Sequence, residues 1–372
     1  MLSVVIFILV LSFLVIIHEL GHFFAARWAG VKVQEFGIGY PPMAKKLFTW
    51  KGTDFTINWI PFGGFVRMAG EEVDPSKIDQ KPKAGEFYSA SIFQRLVIVL
   101  AGATVNFVFG ILAFASIFSL MGIPETITEA RIGAVSENSP AAISGVPVNV
   151  NIAGFKIGED FTTTNTPEDV IQFVSDHRGQ TVLVATSGSC DQLACADSYN
   201  EYSVYLRTAE ETPADQGSLG VAFQDVILVK YPWWQMPFRG MVYGLEQALM
   251  LGKEILSALS RLGANLVQRG QLSEELAGPV GIVHQAQTIG LMEQGFMVIL
   301  SFAAMLSINL AIMNVLPISP LDGGKAVFTL LESLFARKSL QKIEYWFSYS
   351  GYIALMGLIV VITVRDIYRL FV

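Results

Sequence analysis

Two histidines and a glutamate near the N-terminus carry the clearest chemistry in the sequence. His18, Glu19 and His22 form an HExxH pattern, here His-Glu-Leu-Gly-His. Helical residues four positions apart share one face, so both imidazoles can reach a single zinc ion while the glutamate beside them acts as general base. The spacing therefore predicts a zinc site with hydrolytic chemistry.

The surroundings of this pattern place it inside a membrane. Residues 1–17 are apolar except for Ser3 and Ser12, and the first basic residue is Arg27. A soluble amphipathic helix would show a polar face, and a signal peptide would begin with a basic stretch, so both alternatives are disfavoured. Ionisable side chains at membrane depth are costly unless they line a cavity or bind a metal, which favours a metal site.

A third zinc ligand is expected from a broken apolar segment late in the chain. Asp322 follows a stretch interrupted by Pro317 and Pro320, and it is the only acidic residue between Glu293 and Glu332. Catalytic zinc takes three protein ligands and keeps one open position. Irregular backbone at membrane depth requires a cavity lined by protein or water. An ordinary helix end with a capping aspartate is the alternative, which the HExxH pattern disfavours.

Composition assigns the chain to the α-helical membrane proteins. Of its 372 residues, 52% are hydrophobic and 15% are charged, which is typical of that class. Four segments are long and apolar enough to span a bilayer, namely residues 2–26, 96–121, 296–316 and 347–364. Residues 236–266 combine apolar periodicity with charges, which predicts an amphipathic helix on the membrane or on the protein.

The distribution of charge predicts the orientation in the membrane. Residues 27–95 contain ten Lys or Arg, whereas the long segment between the second and third spans is acidic. Because basic residues are enriched in cytoplasmic loops, residues 27–95 are expected in the cytoplasm and the acidic segment outside. Arg365 and Arg369 depart from this rule. Membrane lipid is an expected partner, and nucleic acid is not expected for a chain with a formal net charge of −7.

Residues 126–209 are predicted to form a small α/β module outside the membrane. Apolar runs at 130–135, 148–153, 181–185 and 202–206 predict strands. Thr166 with Pro167 is a typical helix start, and Ser139 precedes a second short helix. Cys190 and Cys195 are predicted to form a small disulfide in an oxidising compartment, with two free thiols or a zinc knuckle as alternatives.

A small β region is predicted after the first span. Residues 53–60 alternate as a strand does, and Gly63, Gly64 and Phe65 follow. The glycine pair is consistent with a simple turn. The functional alternative is a strand edge that approaches the backbone of a substrate, where an unwound peptide could replace its lost hydrogen bonds.

Together these motifs resemble the site-2 protease family of intramembrane zinc metalloproteases, and in particular its bacterial branch, the regulator of sigma-E protease. The stretches that carry the resemblance are HELGH at 18–22, GGFVRM at 63–68, AG at 101–102 with Asn106, GPVGI at 278–282, and Asn314 with Pro317 and LDG at 321–323. The outer module resembles a PDZ domain through Val135 and residues 139–142. It departs from that pattern at residues 144–149, where the usual Gly-Leu-x-x-Gly-Asp is missing.

The resemblance implies the same zinc site, and it also implies substrate-binding residues and a class of substrates. Zinc would be bound by His18, His22 and Asp322, with Glu19 as the catalytic residue, and substrate would be bound by Asn314, Gly63, Gly64 and Phe65. The implied substrates are single-span membrane proteins such as anti-sigma factors or signal peptide remnants, cut after trimming outside. The implied location is the inner (plasma) membrane, with several spans.

These interpretations divide the chain into four parts. Residues 1–121 hold the first two spans, the HExxH helix and the β-loop, and residues 126–209 form the PDZ-like domain. Residues 210–295 are linker and amphipathic helices, and residues 296–372 hold the last two spans with the LDG motif. A membrane transporter or scaffold with an outer binding domain is the alternative function, because broken helices also build ion sites. Transport gives no reason for HExxH with a distal aspartate.

Overall fold

Helices make up about half of the residues that the structure describes, and strands fill two regions between them. The structure is a computed structural model that describes residues 2–71, 80–187, 199–213, 216–269, 278, 280–282 and 295–371. Residues Met1–Leu120 and Pro232–Val372 form one unit, and residues Met121–Tyr231 form a second. The predicted disulfide between Cys190 and Cys195 falls outside the described residues.

The helices and strands are numbered along the chain. The helices are α1 Leu2–Trp28, α2 Ile92–Met121, α3 Pro140–Ile143, α4 Pro167–Asp176, α5 Met236–Arg269, α6 Phe296–Val315, α7 Asp322–Leu331 and α8 Arg337–Phe371. The strands are β1 Val33–Trp50, β2 Thr53–Met68, β3 Ile123–Thr126, β4 Ile132–Val135, β5 Asn151–Ile157, β6 Asp160–Thr163, β7 Thr181–Ser187, β8 Tyr199–Tyr205, β9 Val221–Phe223 and β10 Val226–Val229.

Four of these helices are long and apolar enough to cross a membrane, which confirms the four predicted spans. Their spanning parts are Val4–Trp28, Ile92–Met121, Phe296–Val315 and Arg337–Arg369. The last begins ten residues before the predicted apolar core, because the polar residues ahead of that core continue the same helix. The chain is therefore built as a multi-pass membrane protein.

Strands β1 and β2 follow α1 and pair with each other in one sheet. Both strands bend, so residues 35–38 of β1 lie between two segments of β2, residues 54–57 on one side and 64–68 on the other. The sheet packs on α1 and α2 through a shared core that includes Phe23, Phe36 and Ile98. Residues 64–68 form an edge, since no other strand among the described residues pairs with their outer side.

Helix α5 packs lengthwise in the first unit through small residues four positions apart. A methyl group on Gly240 or Gly244 would meet the backbone of α2, one on Gly252 would touch Ile312 of α6, and Ala248 between them is fully buried. Small residues at this spacing let helix backbones approach closely in membranes. The predicted amphipathic helix thus exists, and its small-residue face lies against protein.

The second unit is a small α/β fold. Strands β6, β5, β7 and β8 form a four-stranded antiparallel sheet in that order, and β4–β9 and β3–β10 are paired separately. Thr166 caps α4 as predicted and forms a capping box with Asp169. Backbone N–H groups of Asn165 and Thr166 hold the pKa of the Asp169 carboxyl below its usual value. The core gathers Ile132, Phe155, Val184 and Leu206.

Candidate metal centre

Three side chains that could hold a metal ion converge within the first unit. The Nε2 atoms of His18 and His22 lie 3.1 Å apart, and the Oδ2 atom of Asp322 lies 3.1 Å from the first and 3.3 Å from the second. Both imidazoles are buried. His18 and Asp322 are 304 positions apart in the sequence, so the fold brings distant parts of the chain together at this point.

The spacing of these donor atoms fits a tetrahedral zinc site. Ligand atoms 2.0–2.1 Å from zinc at tetrahedral angles stand roughly 3.3 Å apart. Nδ1 of His22 lies 2.8 Å from the carbonyl oxygen of Ile98, and donating its proton there leaves Nε2 with a lone pair. Lone pairs that converge on a carboxylate oxygen in a buried site call for a cation. The residues present therefore fit zinc.

Helix α2 makes room for the two imidazoles at a single glycine. A methyl group on Gly102 would lie 2.5 Å from Nε2 of His22 and 2.6 Å from Nε2 of His18. The carbonyl group of Ile98 lies four residues before this glycine, on the same face of the helix. Helix α2 therefore supplies both the space for the rings and one of their hydrogen-bond acceptors.

A tight connection between α6 and α7 returns Asp322 toward α1. Asp322 is the first residue of α7. A methyl group on Gly323 would overlap the carbonyl oxygens of Val315 and Leu316, and one on Gly324 would lie 2.6 Å from the nitrogen of Ser319. The Asp-Gly-Gly sequence is thus explained by close packing, because only glycine leaves space for the chain to fold back here.

Two ion pairs hold α7 in place after this turn. The guanidinium group of Arg95 donates two hydrogen bonds to Glu332, of 2.9 and 2.6 Å, and both side chains are buried. The ammonium group of Lys325 donates to Glu71 at 2.7 Å. Burial opposes the charge of Lys325, but the adjacent carboxylate of Glu71 raises the pKa of that ammonium group above its usual value. The helix that carries Asp322 is therefore anchored to α2 and to the end of β2.

Glu19 follows His18 in α1 and lies close to the edge segment of β2. A methyl group on Gly64 would lie 3.8 Å from Cγ of Glu19 and 2.9 Å from the carbonyl oxygen of Gly37. Gly63 has a φ of +67°, a conformation that favours glycine. The simple-turn interpretation of this glycine pair is wrong, because both residues lie within β2, where close packing requires them.

The other predicted substrate-binding residues are Phe65 in β2 and Asn314 in α6. Phe65 follows the glycine pair in the edge segment and pairs with Gly37. Asn314 is half-buried in the last turn of α6, eight residues before Asp322 in the sequence. Its predicted role in substrate binding stays a prediction.

Sequence reasoning missed several contacts within the first unit. The backbone carbonyl of Ile98 has no sequence signature, and the Arg95–Glu332 pair joins residues that are 237 positions apart. Asp366 in α8 accepts hydrogen bonds from the backbone N–H groups of Gly278 and Gly281, at 2.8 and 2.9 Å. Asp366 follows Arg365 beyond the apolar part of α8, so its charge alone did not mark this contact in the sequence.

The spanning helices and the buried donor set define the class of membrane metallohydrolases. A family model described as peptidase family M50 matches residues 6–358. The chain therefore belongs to peptidase family M50, the site-2 protease family, whose members are zinc metalloproteases. This membership excludes the transporter or scaffold alternative.

Relatives match over nearly the whole chain. The zinc metalloprotease RasP of Oceanobacillus iheyensis is 29% identical over 100% of both chains. A protein of Agrobacterium fabrum named "Putative zinc metalloprotease" is 29% identical over 97% of this chain and 94% of its own. A protein of Campylobacter jejuni with the same designation is 28% identical over 98% of this chain and 92% of its own.

Proposed function

We propose that the protein hydrolyses a peptide bond within the membrane-spanning segment of a membrane-protein substrate, as an intramembrane zinc metalloprotease. The observation that carries this proposal is the meeting of His18, His22 and Asp322 within 4.8 Å, with one histidine pair borne by an apolar spanning helix. In the proposal these three side chains hold zinc. When bound, zinc supplies a Lewis acid that polarises a carbonyl group and lowers the pKa of its bound water to about 7.

Glu19 is the proposed general base. Its carboxylate takes the proton of the attacking water and returns it to the nitrogen of the leaving amine. Asn314 is proposed to donate its amide N–H to the carbonyl oxygen of the scissile bond as negative charge develops. Both assignments rest on the motif pattern, and the position of Glu19 beside the edge segment of β2 supports the first.

A substrate helix must unwind before it can be cut, because its peptide groups are paired internally. The edge segment of β2, residues 64–68, is proposed to receive the unwound chain as an added strand, which would replace the lost hydrogen bonds. Gly63, Gly64 and Phe65 start this edge beside Glu19. An added strand would therefore pass the general base.

The substrate class and the setting are part of the same proposal. Single-span proteins such as anti-sigma factors or signal peptide remnants fit a site between spanning helices. The second unit is proposed to be a PDZ-like domain on the outer side of the inner membrane that admits substrates already trimmed there. Residues 126–209 are the proposed PDZ-like part of this unit, between the catalytic parts at 1–121 and 296–372. Strands β9 and β10, within the proposed linker at 210–295, pair with β4 and β3 of the same unit.

The direct test separates metal binding from catalysis. Full-length protein in detergent is analysed for zinc and for cleavage of a single-span test substrate. Glu19→Gln should retain stoichiometric zinc and lose cleavage, because the glutamate is not a ligand. Asp322→Ala should lose both zinc and cleavage, since two imidazoles alone make an incomplete site. Normal turnover in the Glu19 variant would refute the general-base assignment.

A further inference from the structure

Asn106 lies on α2 one turn after Gly102 and faces the first histidine of the centre. Its side-chain nitrogen Nδ2 is placed 3.5 Å from Nδ1 of His18, and the residue is completely buried. Its Oδ1 atom has no hydrogen-bond partner among the described residues. Buried polar groups are nearly always paired, so this amide requires an explanation.

Each of the two imidazoles needs a hydrogen-bond acceptor for its Nδ1–H group. A histidine that offers Nε2 to a metal carries its proton on Nδ1, and that N–H requires an acceptor. His22 has one in the carbonyl oxygen of Ile98, at 2.8 Å. For His18, the group that faces Nδ1 is the amide of Asn106. With its nitrogen end facing the ring, as it is placed here, one donor meets another, whereas its oxygen end would accept the proton.

We propose that Asn106 is a positioning residue that accepts a hydrogen bond from Nδ1 of His18 through its Oδ1 atom and so fixes the tautomer that binds zinc. The two ends of an amide have nearly the same shape, and their hydrogen-bond partners decide which end faces which group. With Oδ1 toward His18, donor meets acceptor. Ile98, Gly102 and Asn106 then form three successive turns of α2 that orient and accommodate the histidine pair.

A purely structural role for Asn106 in helix packing makes a different prediction. The backbone carbonyl oxygen of Asn106, not its side chain, joins α2 to α6 by accepting a hydrogen bond of 2.8 Å from Oγ of Ser307. This contact can be removed separately. Ser307→Ala therefore serves as the matched control, because it weakens the same helix contact at the same depth and leaves the imidazole untouched.

The inference rests on the proposed zinc site, and its test measures zinc affinity rather than cleavage. Full-length protein in detergent is titrated with zinc against a chromophoric chelator. Asn106→Leu keeps the shape without an acceptor and should bind zinc roughly 10- to 100-fold more weakly, the usual effect of losing such a partner. Asn106→Asp keeps an acceptor oxygen and should bind zinc as tightly as wild type or more tightly. Ser307→Ala should match wild type.

Each other outcome counts against one identifiable claim. Wild-type affinity in Asn106→Leu would overturn the inference while leaving the zinc site intact. Weak binding by Asn106→Asp would also overturn it, because the amide would then act as a donor. Equal losses in Ser307→Ala would assign the effect to packing. If the leucine variant does not fold, Asn106→Ala provides the same comparison. Wild-type protein without zinc would instead contradict the proposed function.

Discussion

At the scale of single residues, the candidate centre depends on a position without a side chain, Gly102, as well as on the side chains that surround it. Gly102 lies where any side chain would press on both Nε2 atoms. Real Cβ atoms essentially never approach other heavy atoms closer than 3.0 Å, so a larger residue would displace at least one imidazole. The glycine is therefore required by the donor atoms themselves and not by helix packing alone.

Gly102→Ala is expected to weaken zinc binding while the protein stays folded. Displacing an imidazole breaks the donor geometry, and a loss of roughly 10- to 100-fold in zinc affinity is typical of changes next to the ligands. Gly110→Ala is the matched control on the same helix, because its methyl group would meet the side chain of Ile308 instead. That variant should be less stable but bind zinc normally. Equal zinc affinity in both variants would contradict this role of Gly102.

The elements differ in how far the sequence could predict them. HExxH is a local pattern, so α1 and the placement of His18 and His22 on one of its faces follow from spacing alone. The strand at 53–60 was also predictable from alternation. Its pairing was not, because both strands bend and one segment of β1 is shared between two segments of β2. The anchoring of α7 was equally hidden, since its ion pairs join distant parts of the chain.

The Arg95–Glu332 pair tests this anchoring. Glu332→Gln would leave the buried guanidinium without its countercharge, which costs about 3–5 kcal/mol in comparable buried pairs. The first unit should therefore unfold at a clearly lower temperature. Asp54→Asn removes the ion pair with Lys46, whose two side chains are 47% and 41% exposed, and should hardly change the transition. Thermal unfolding in detergent compares the two, and equal shifts would show that α7 is not anchored by this pair.

On the scale of the whole molecule, all side chains of the candidate centre come from one unit although the other interrupts it in sequence. Apolar length was enough to predict the four spanning helices, since it measures the property that a bilayer selects. The packing of α5 could not be predicted from hydropathy, because its charged residues lower the mean hydropathy of the helix. The small residues Gly240, Gly244, Ala248 and Gly252 form the face that lies against α2 and α6. Spacing of small residues, rather than mean hydropathy, was the informative signal there.

Orientation in the membrane remains the prediction that links both units to function. Basic residues are enriched in residues 27–95, so a reporter inserted after Lys81 is expected in the cytoplasm. A reporter inserted after Gly158, in the exposed turn between β5 and β6, is expected outside. Each insertion is made in the full chain and compared using a reporter that is active in only one compartment. The reverse pattern would reject the outer location of the second unit, and with it the proposal that substrates are trimmed outside before they reach the metal centre.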